Sequence, residues 1–242
     1  MKKNTSKQGL LALFLVLLLA GSFFVYVSDN YKADDTALNA LASDEVIIEK
    51  TGYGWFFDGP TEDTALIFYP GAKVDEKAYA PLLHEIAAKG IDVCLIDSAF
   101  DIAFFNMNGA EKAMKKHDYA NWYIGGHSLG GVVASYYLQK HPKDFEGLVL
   151  LASYTNKKMP DSIKEIVIVG SEDGVINRKA LAKGRELASA DYHEFTIEGG
   201  NHCQFGSYGF QKGDDEAEIT TEEQIDQTAD FIFDALGLIS LN

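Results

Sequence analysis

After residue 42 the chain alternates between two textures. Apolar runs recur as "EVIIEK", "YGWFF", "ALIFY", "IDVCLID", "NWYIGG", "GLVLLA", "EIVIVG" and "HEFTI", eight candidate strands, the first two flanking Thr51-Gly52 as an opening hairpin. Between the later runs lie stretches of helical period: Lys77 to Lys89, stopped by Gly90; Leu129 to Lys140, stopped by Pro142; and Asn177 to Ala188. A last helix is predicted from Thr221, at capping-box spacing from Gln224, with Ile225, Ala229, Ile232, Phe233 and Leu236 on one stripe. Strands that are apolar almost throughout need cover on both faces. The alternation therefore predicts an α/β fold, a mainly parallel sheet with helices on both sides.

The first thirty residues break this rhythm. An uncharged apolar stretch from Gly9 to Val27 follows Lys2, Lys3 and Lys7 and precedes Asp29, Asp34 and Asp35, the arrangement of an export signal or a membrane anchor. At about 1.5 Å per helical residue, a stretch of that length reaches across a hydrocarbon core of roughly 30 Å. A cleavable signal has a shorter apolar region, about 7 to 15 residues, before a small-x-small site. Ala20-Gly21-Ser22 offers such a site, yet apolar residues continue past it to Val27. The expectation is an uncleaved single-pass signal anchor over residues 1–30, a linker over 31–43 and one folded domain over 44–242, lying outside the cytoplasm. Secretion after signal cleavage and a buried helix are the alternatives.

Composition agrees with one folded domain, since 47% of the 242 residues are hydrophobic and 24% charged. The net charge of −15, with Asp214, Asp215, Glu216, Glu218, Glu222 and Glu223 crowded together, repels a phosphate backbone and excludes nucleic acid as a partner. No CxxC or HExxH spacing occurs around Cys94, Cys203 or the histidines, so neither a metal nor another cofactor is expected.

The candidate chemistry concentrates in three loops. Gly126-His127-Ser128-Leu129-Gly130 is a G-x-S-x-G pattern that follows a predicted strand and opens a predicted helix. The glycines leave room for a sharp bend and for a helix lying close to a strand, and the serine projects from the bend. A serine hydroxyl becomes a nucleophile only with a base in reach and a third group holding that base in the right tautomer. Ser171-Glu172-Asp173-Gly174 follows "EIVIVG", and Glu198-Gly199-Gly200-Asn201-His202 follows "HEFTI". Both loops leave the carboxyl ends of strands, on the same sheet edge as Ser128. The assignment is Ser128 as nucleophile, His202 as general base and acid, and Asp173 as the orienting carboxylate. Glu172 is the alternative acid, aimed elsewhere by its shift of one residue. His127 is expected to point away from the serine as a packing or turn residue. His84, His117 and His141 have no strand end before them and are expected in surface or dipole-compensating roles, and His193 as an ordinary strand residue.

The motif, the order Ser, Asp, His, the eight runs and the "GNH" ending resemble the α/β-hydrolase superfamily. The resemblance is to its small, cap-less serine hydrolases of the dienelactone-hydrolase-like group and covers roughly Asp44 to the C-terminus. It implies the strand order 1-2-4-3-5-6-7-8, which separates Cys94 on the fourth strand from Cys203 beyond the eighth by several spacings of about 4.8 Å, too far for a disulfide. It also implies an oxyanion hole, with one N–H from Leu129 and the other from "FYPGAKV", where Pro70-Gly71 occupies the place of the family's His-Gly. Ala72 is the candidate donor there, with Lys73 as the reserve and as a substrate contact. Only "SYTNKKMPDSIK" separates the sixth and seventh runs, which leaves no room for the helical cap that many members insert.

The implied activity is hydrolysis of a small-molecule carboxylic ester through an acyl-enzyme. A thioesterase or acyltransferase with the same triad, or a catalytically silent surface-binding module, are the alternatives. The segment Ser98 to Asn108, "SAFDIAFFNMN", leaves the fourth strand on the active edge with Asp101 as its one charge. Phe104 and Phe105 are candidate substrate-binding residues there, with packing into the core as the competing expectation.

Overall fold

The computed structural model describes residues 3–43, 45–60 and 63–237. Lys2, Asp44 and residues 238–242, which the expected anchor flank and domain include, lie outside the described residues. Two compact units result, Met1–Asn30 and Tyr31–Asn242. The first consists of helix α1 (Lys3–Ser28), whose segment Gln8–Ser28 is long and apolar enough to cross a membrane, by length and composition.

Residues 31–43, expected as a linker, are part of the second unit. Tyr31 bridges Val74 in parallel, donates its N–H to the Lys73 carbonyl (2.7 Å) and accepts the Asp75 N–H (2.9 Å). Asp34 then caps the six-residue helix α2 (Asp35–Ala40) by accepting the Ala37 N–H at 3.0 Å, and Ala37 is fully buried. A helix shorter than two turns has no periodicity to read, which is why the sequence pattern resembles a linker.

The sheet has eight strands: β1 (Ile47–Lys50), β2 (Gly54–Asp58), β3 (Thr64–Tyr69), β4 (Asp92–Ile96), β5 (Asn121–His127), β6 (Gly147–Leu151), β7 (Lys164–Gly170) and β8 (Asp191–Ile197). Their order is β1-β2-β4-β3-β5-β6-β7-β8, with β2 antiparallel to β1 and β4 and the remaining pairs parallel. Alternation sorts the strand side chains onto two faces. Leu66, Phe68, Val93, Leu95, Val149 and Ile168 meet α3 (Ala80–Ala88) and α7 (Thr221–Leu236) in one core. Ala65, Ile67, Cys94, Ile124, Leu150 and Val167 meet α4 (Gly109–Lys116), α5 (Leu129–Lys140) and α6 (Arg178–Leu187) in the other.

Helix limits differ from expectation for local reasons. The segment predicted over 77–89 is a 3-10 turn, Glu76–Tyr79, followed by α3, with a proline in the first turn of α3. Helix α4 escapes the pattern because it buries only Gly109, Ala110 and Ala113, residues too small to write an apolar stripe. The capping box at α7 lies one residue earlier than predicted. Thr220 accepts the Glu223 N–H at 3.2 Å, and its own N–H donates to the Glu223 carboxylate at 2.8 Å. Threonine with an acid or amide three residues on occurs in both registers, and the burial of Gln224 decides between them.

His84 is buried rather than on the surface, with Nε2 3.1 Å from the Ser43 hydroxyl. His117 stacks on Phe56 and lies 2.9 Å from the Tyr53 hydroxyl, while His141 closes α5. Cys94 and Cys203 are free and buried, and burial pushes their thiols up to about 12 and about 11.

Candidate active site

Strand β5 ends at His127 and α5 begins at Leu129, so Ser128 alone makes the turn between them, at φ 51° and ψ −118°. A non-glycine residue held at positive φ stores about 1–3 kcal/mol and persists only where its surroundings hold it. Here the Ser128 N–H donates to the Leu151 carbonyl (2.9 Å), and the Ser153 hydroxyl donates to the Ser128 carbonyl (2.8 Å). The flanking glycines serve close approach. A Cβ at Gly126 would stand 2.5 Å from the Tyr69 carbonyl oxygen, and one at Gly130 would stand 2.1 Å from it. Any side chain at either position would lever α5 away from β3.

Asp173 and His202 come from the loops after β7 and β8. His202 Nδ1 lies 2.9 Å from Asp173 Oδ2, and both side chains are almost completely buried. The other carboxylate oxygen accepts the N–H groups of Val175 (2.9 Å) and Ile176 (2.7 Å), so the carboxylate cannot turn away from the imidazole. With Nδ1 engaged, Nε2 is the nitrogen left for chemistry. Glu172 instead accepts the neighbouring Ser171 hydroxyl at 2.8 Å. Ser128, Leu129 and His202 line one cleft of about 230 Å³, with Val132, Tyr154 and Val175 as apolar wall.

Ala72, Lys73, Phe104 and Phe105 do not line that cleft. The Lys73 N–H is committed to the Asp101 carbonyl at 2.7 Å, which removes it as a reserve oxyanion donor. Phe104 and Phe105 are exposed, so the core expectation fails for them. The 98–108 loop is built from two 3-10 turns, Ala99–Asp101 and Ala103–Asn106, in which the small Ala103 turns inward and the rings turn out.

His127 is buried as a packing residue, and the ring it packs against is that of His202, with centroids 4.6 Å apart. Its Nδ1 lies 2.7 Å from the Tyr79 hydroxyl, which also accepts the Gly71 N–H at 2.9 Å. The Tyr79 hydroxyl thus links the Gly71 N–H to the His127 imidazole. This chain joins the Pro70-Gly71 loop to the back of His202. Burial, and then the neighbouring His202, press the His127 pKa well below its ordinary value.

In the unfolded chain His127 binds a proton below about pH 6.5, and in the folded protein it does not, so stability is full above that pH and falls below it, by about 1.4 kcal/mol per pH unit. Denaturant midpoints between pH 7.5 and 5.0 test this. The native chain should lose stability more steeply than His127→Gln, and equal slopes would contradict the assignment.

Two further residues hold the site and were hidden in the sequence. Asp214, one charge in the crowded acidic run, is buried and accepts the N–H groups of Gly174 (3.1 Å), His202 (3.3 Å), Cys203 (2.8 Å) and Asp215 (3.0 Å). It thereby ties the Asp173 loop to the His202 loop. Gln224 on α7 pairs its side-chain amide with the Asn201 backbone, accepting its N–H and donating to its carbonyl, both at 2.9 Å. A polar Gln224 and Thr228 on the stripe of Ile225, Ala229 and Ile232 is the signal that marks this contact. Among the described residues, no group of three His, Cys, Asp or Glu side chains is placed to hold a metal ion.

Sheet order, the strand-turn-helix serine and the sheet edge that gathers the loops define an α/β hydrolase. The chain belongs to the alpha/beta hydrolase family, whose model matches residues 65–226. Solved structures show the same fold at low identity. TT1662 from Thermus thermophilus is 15% identical with a TM-score of 0.57, the match covering 80% of this chain and 99% of that one. Est1E from Butyrivibrio proteoclasticus is 12% identical (TM-score 0.55; 80% and 99% covered). Carboxylesterase CesB from Bacillus subtilis is 11% identical (TM-score 0.55; 85% and 96% covered). No curated protein matches the sequence.

Proposed function

We propose that this hydrolase cleaves carboxylic esters through an acyl-enzyme on Ser128. His202 Nε2 takes the proton of Ser128 Oγ as the oxygen attacks the ester carbonyl, and Asp173 stabilises the imidazolium that forms. The Leu129 N–H holds the oxyanion at the N-terminus of α5, where the helix dipole favours negative charge, and Ala72, which lies outside the cleft lining, is the candidate for the second donor once substrate is bound. His202 then returns the proton to the departing alcohol, and water repeats the sequence to release the acid. The observation that carries this reading is the buried His202 and Asp173 pair, 2.9 Å apart, opening on the cleft that holds the strained Ser128. Carboxylesterases among the structural neighbours, CesB and naproxen esterase of Bacillus subtilis, support esters as the substrate class.

The length and apolarity of Gln8–Ser28 and the lysines before that segment support a single-pass anchor, with the hydrolase outside the cytoplasm. Paired assays of aryl esters and thioesters of the same acyl group test the chemistry. Faster turnover of the ester, measured as kcat/KM, is expected. Strong preference for the thioester, or for transfer to an added alcohol over water, would move the assignment to the other acyl chemistry.

A further inference from the structure

Four phenylalanines of the second unit stand exposed: Phe100 (52%), Phe104 (48%), Phe105 (55%) and Phe210 (57%). The other described phenylalanines of that unit are buried or half-buried. Phe100 and Phe105 meet edge to face with ring centroids 5.7 Å apart, so the 98–108 loop presents a compact ridge. Grouped exposed rings mark a surface that something apolar covers.

Both aromatic positions are tied to Tyr31, where the chain enters the unit. On one side, the Asp101 carbonyl accepts the Lys73 N–H, and the Lys73 carbonyl accepts the Tyr31 N–H, each at 2.7 Å. On the other, the Tyr31 hydroxyl accepts the Lys212 N–H at 3.1 Å, and its ring packs on Tyr208 at 5.6 Å, two residues before Phe210. Only Asp29 and Asn30 separate Tyr31 from Ser28, the last residue of α1. At no more than about 3.6 Å per residue, roughly 11 Å of chain joins them.

We propose that the ridge of Phe100, Phe104 and Phe105, with Phe210, docks into the surface of a lipid bilayer. The proposal rests on the reading of α1 as a membrane anchor. An anchored chain cannot hold Tyr31 farther from the membrane than those two residues reach, and the ridge and Phe210 flank Tyr31. Both leave the carboxyl edge of the sheet, the edge that carries Ser128 and His202. Phenylalanine partitions readily into the zone between headgroups and acyl chains. The whole chain carries −15. Electrostatics therefore gives no attraction to anionic lipid, and the matching surface is zwitterionic phosphatidylcholine.

The test uses the full chain in phosphatidylcholine nanodiscs, with an environment-sensitive fluorophore attached at Phe104→Cys, Phe210→Cys or Glu146→Cys. The native Cys94 and Cys203 are buried and resist labelling. Glu146 is exposed, immediately before β6, at the opposite sheet edge. Lipid carrying a nitroxide in the shallow acyl region should quench the labels at 104 and 210 severalfold and leave the label at 146 unchanged. Disc-bound chain whose labels at 104 and 210 behave like that at 146 would overturn the docking surface and leave the anchor standing. Chain that fails to co-purify with the discs would overturn the anchor, and the docking proposal with it.

Discussion

Replacing Ser128 with alanine should lower kcat/KM for an activated ester by about 10⁴-fold or more while leaving the fold intact, because the residues of such a triad act as one unit. The backbone at Ser128 is held by its N–H to Leu151 and by the Ser153 hydroxyl on its carbonyl, neither of which uses the Ser128 side chain. Alanine therefore inherits the same strained turn without the nucleophile. Ser128→Gly should be equally inactive and more stable, by about 1 kcal/mol, since glycine accepts a positive φ without cost. For a chain of this length that corresponds to roughly 2–4 °C in Tm. His202→Ala combined with Ser128→Ala should add little to the loss from either alone. Near-native turnover by Ser128→Ala would remove the proposed mechanism.

The second large effect is expected at Asp214. Asp214→Ala strips the acceptor from four N–H groups, those of Gly174, His202, Cys203 and Asp215, three of which lie in the two loops that carry Asp173 and His202. Each buried donor left unpaired costs about 1–3 kcal/mol, and water that enters can satisfy some of them, so a net loss of about 3 kcal/mol is expected. Thermal melting should register it as a drop of roughly 6–12 °C. Ester turnover should fall with it, because the His202 loop loses its attachment to the Asp173 loop. Asp214→Asn should be milder: its amide oxygen can still serve Gly174, His202 and Asp215, and only the Cys203 N–H then faces an NH₂ group. A melting temperature unchanged in Asp214→Ala would show that the loops are held by other means.

How much of this was legible in the sequence depends on what each residue is asked to do. Strands β3, β4 and β6 are buried on both faces, so their apolar runs are unbroken and stand out against any background. Ser128, Asp173 and His202 were nameable because each closely follows such a run, and Asp173 was separable from Glu172 because a one-residue step on a turn redirects the side chain. Helix α4 was not legible, since alanines and a glycine make its buried face. Asp214 was hidden because its neighbours 215, 216 and 218 are exposed acids and a string of charges conceals the one that turns inward. The aromatic loop misled in the opposite direction. Its rings look like core in a composition count, yet left-handed residues at Phe100 and Asp101 turn the chain so that Ala103 is buried and the phenylalanines are not.

The central claim, that Ser128 is a nucleophile activated by His202 and Asp173, is tested most directly by a fluorophosphonate, which reacts only with an activated serine and leaves a stable adduct. The full chain in membranes is treated with the probe, digested and mapped by mass spectrometry. One adduct per chain on the peptide containing Ser128, absent from Ser128→Ala and strongly slowed in His202→Ala, is the predicted result. An unmodified Ser128 in a chain that hydrolyses esters, or an adduct at another serine that survives Ser128→Ala, would contradict it.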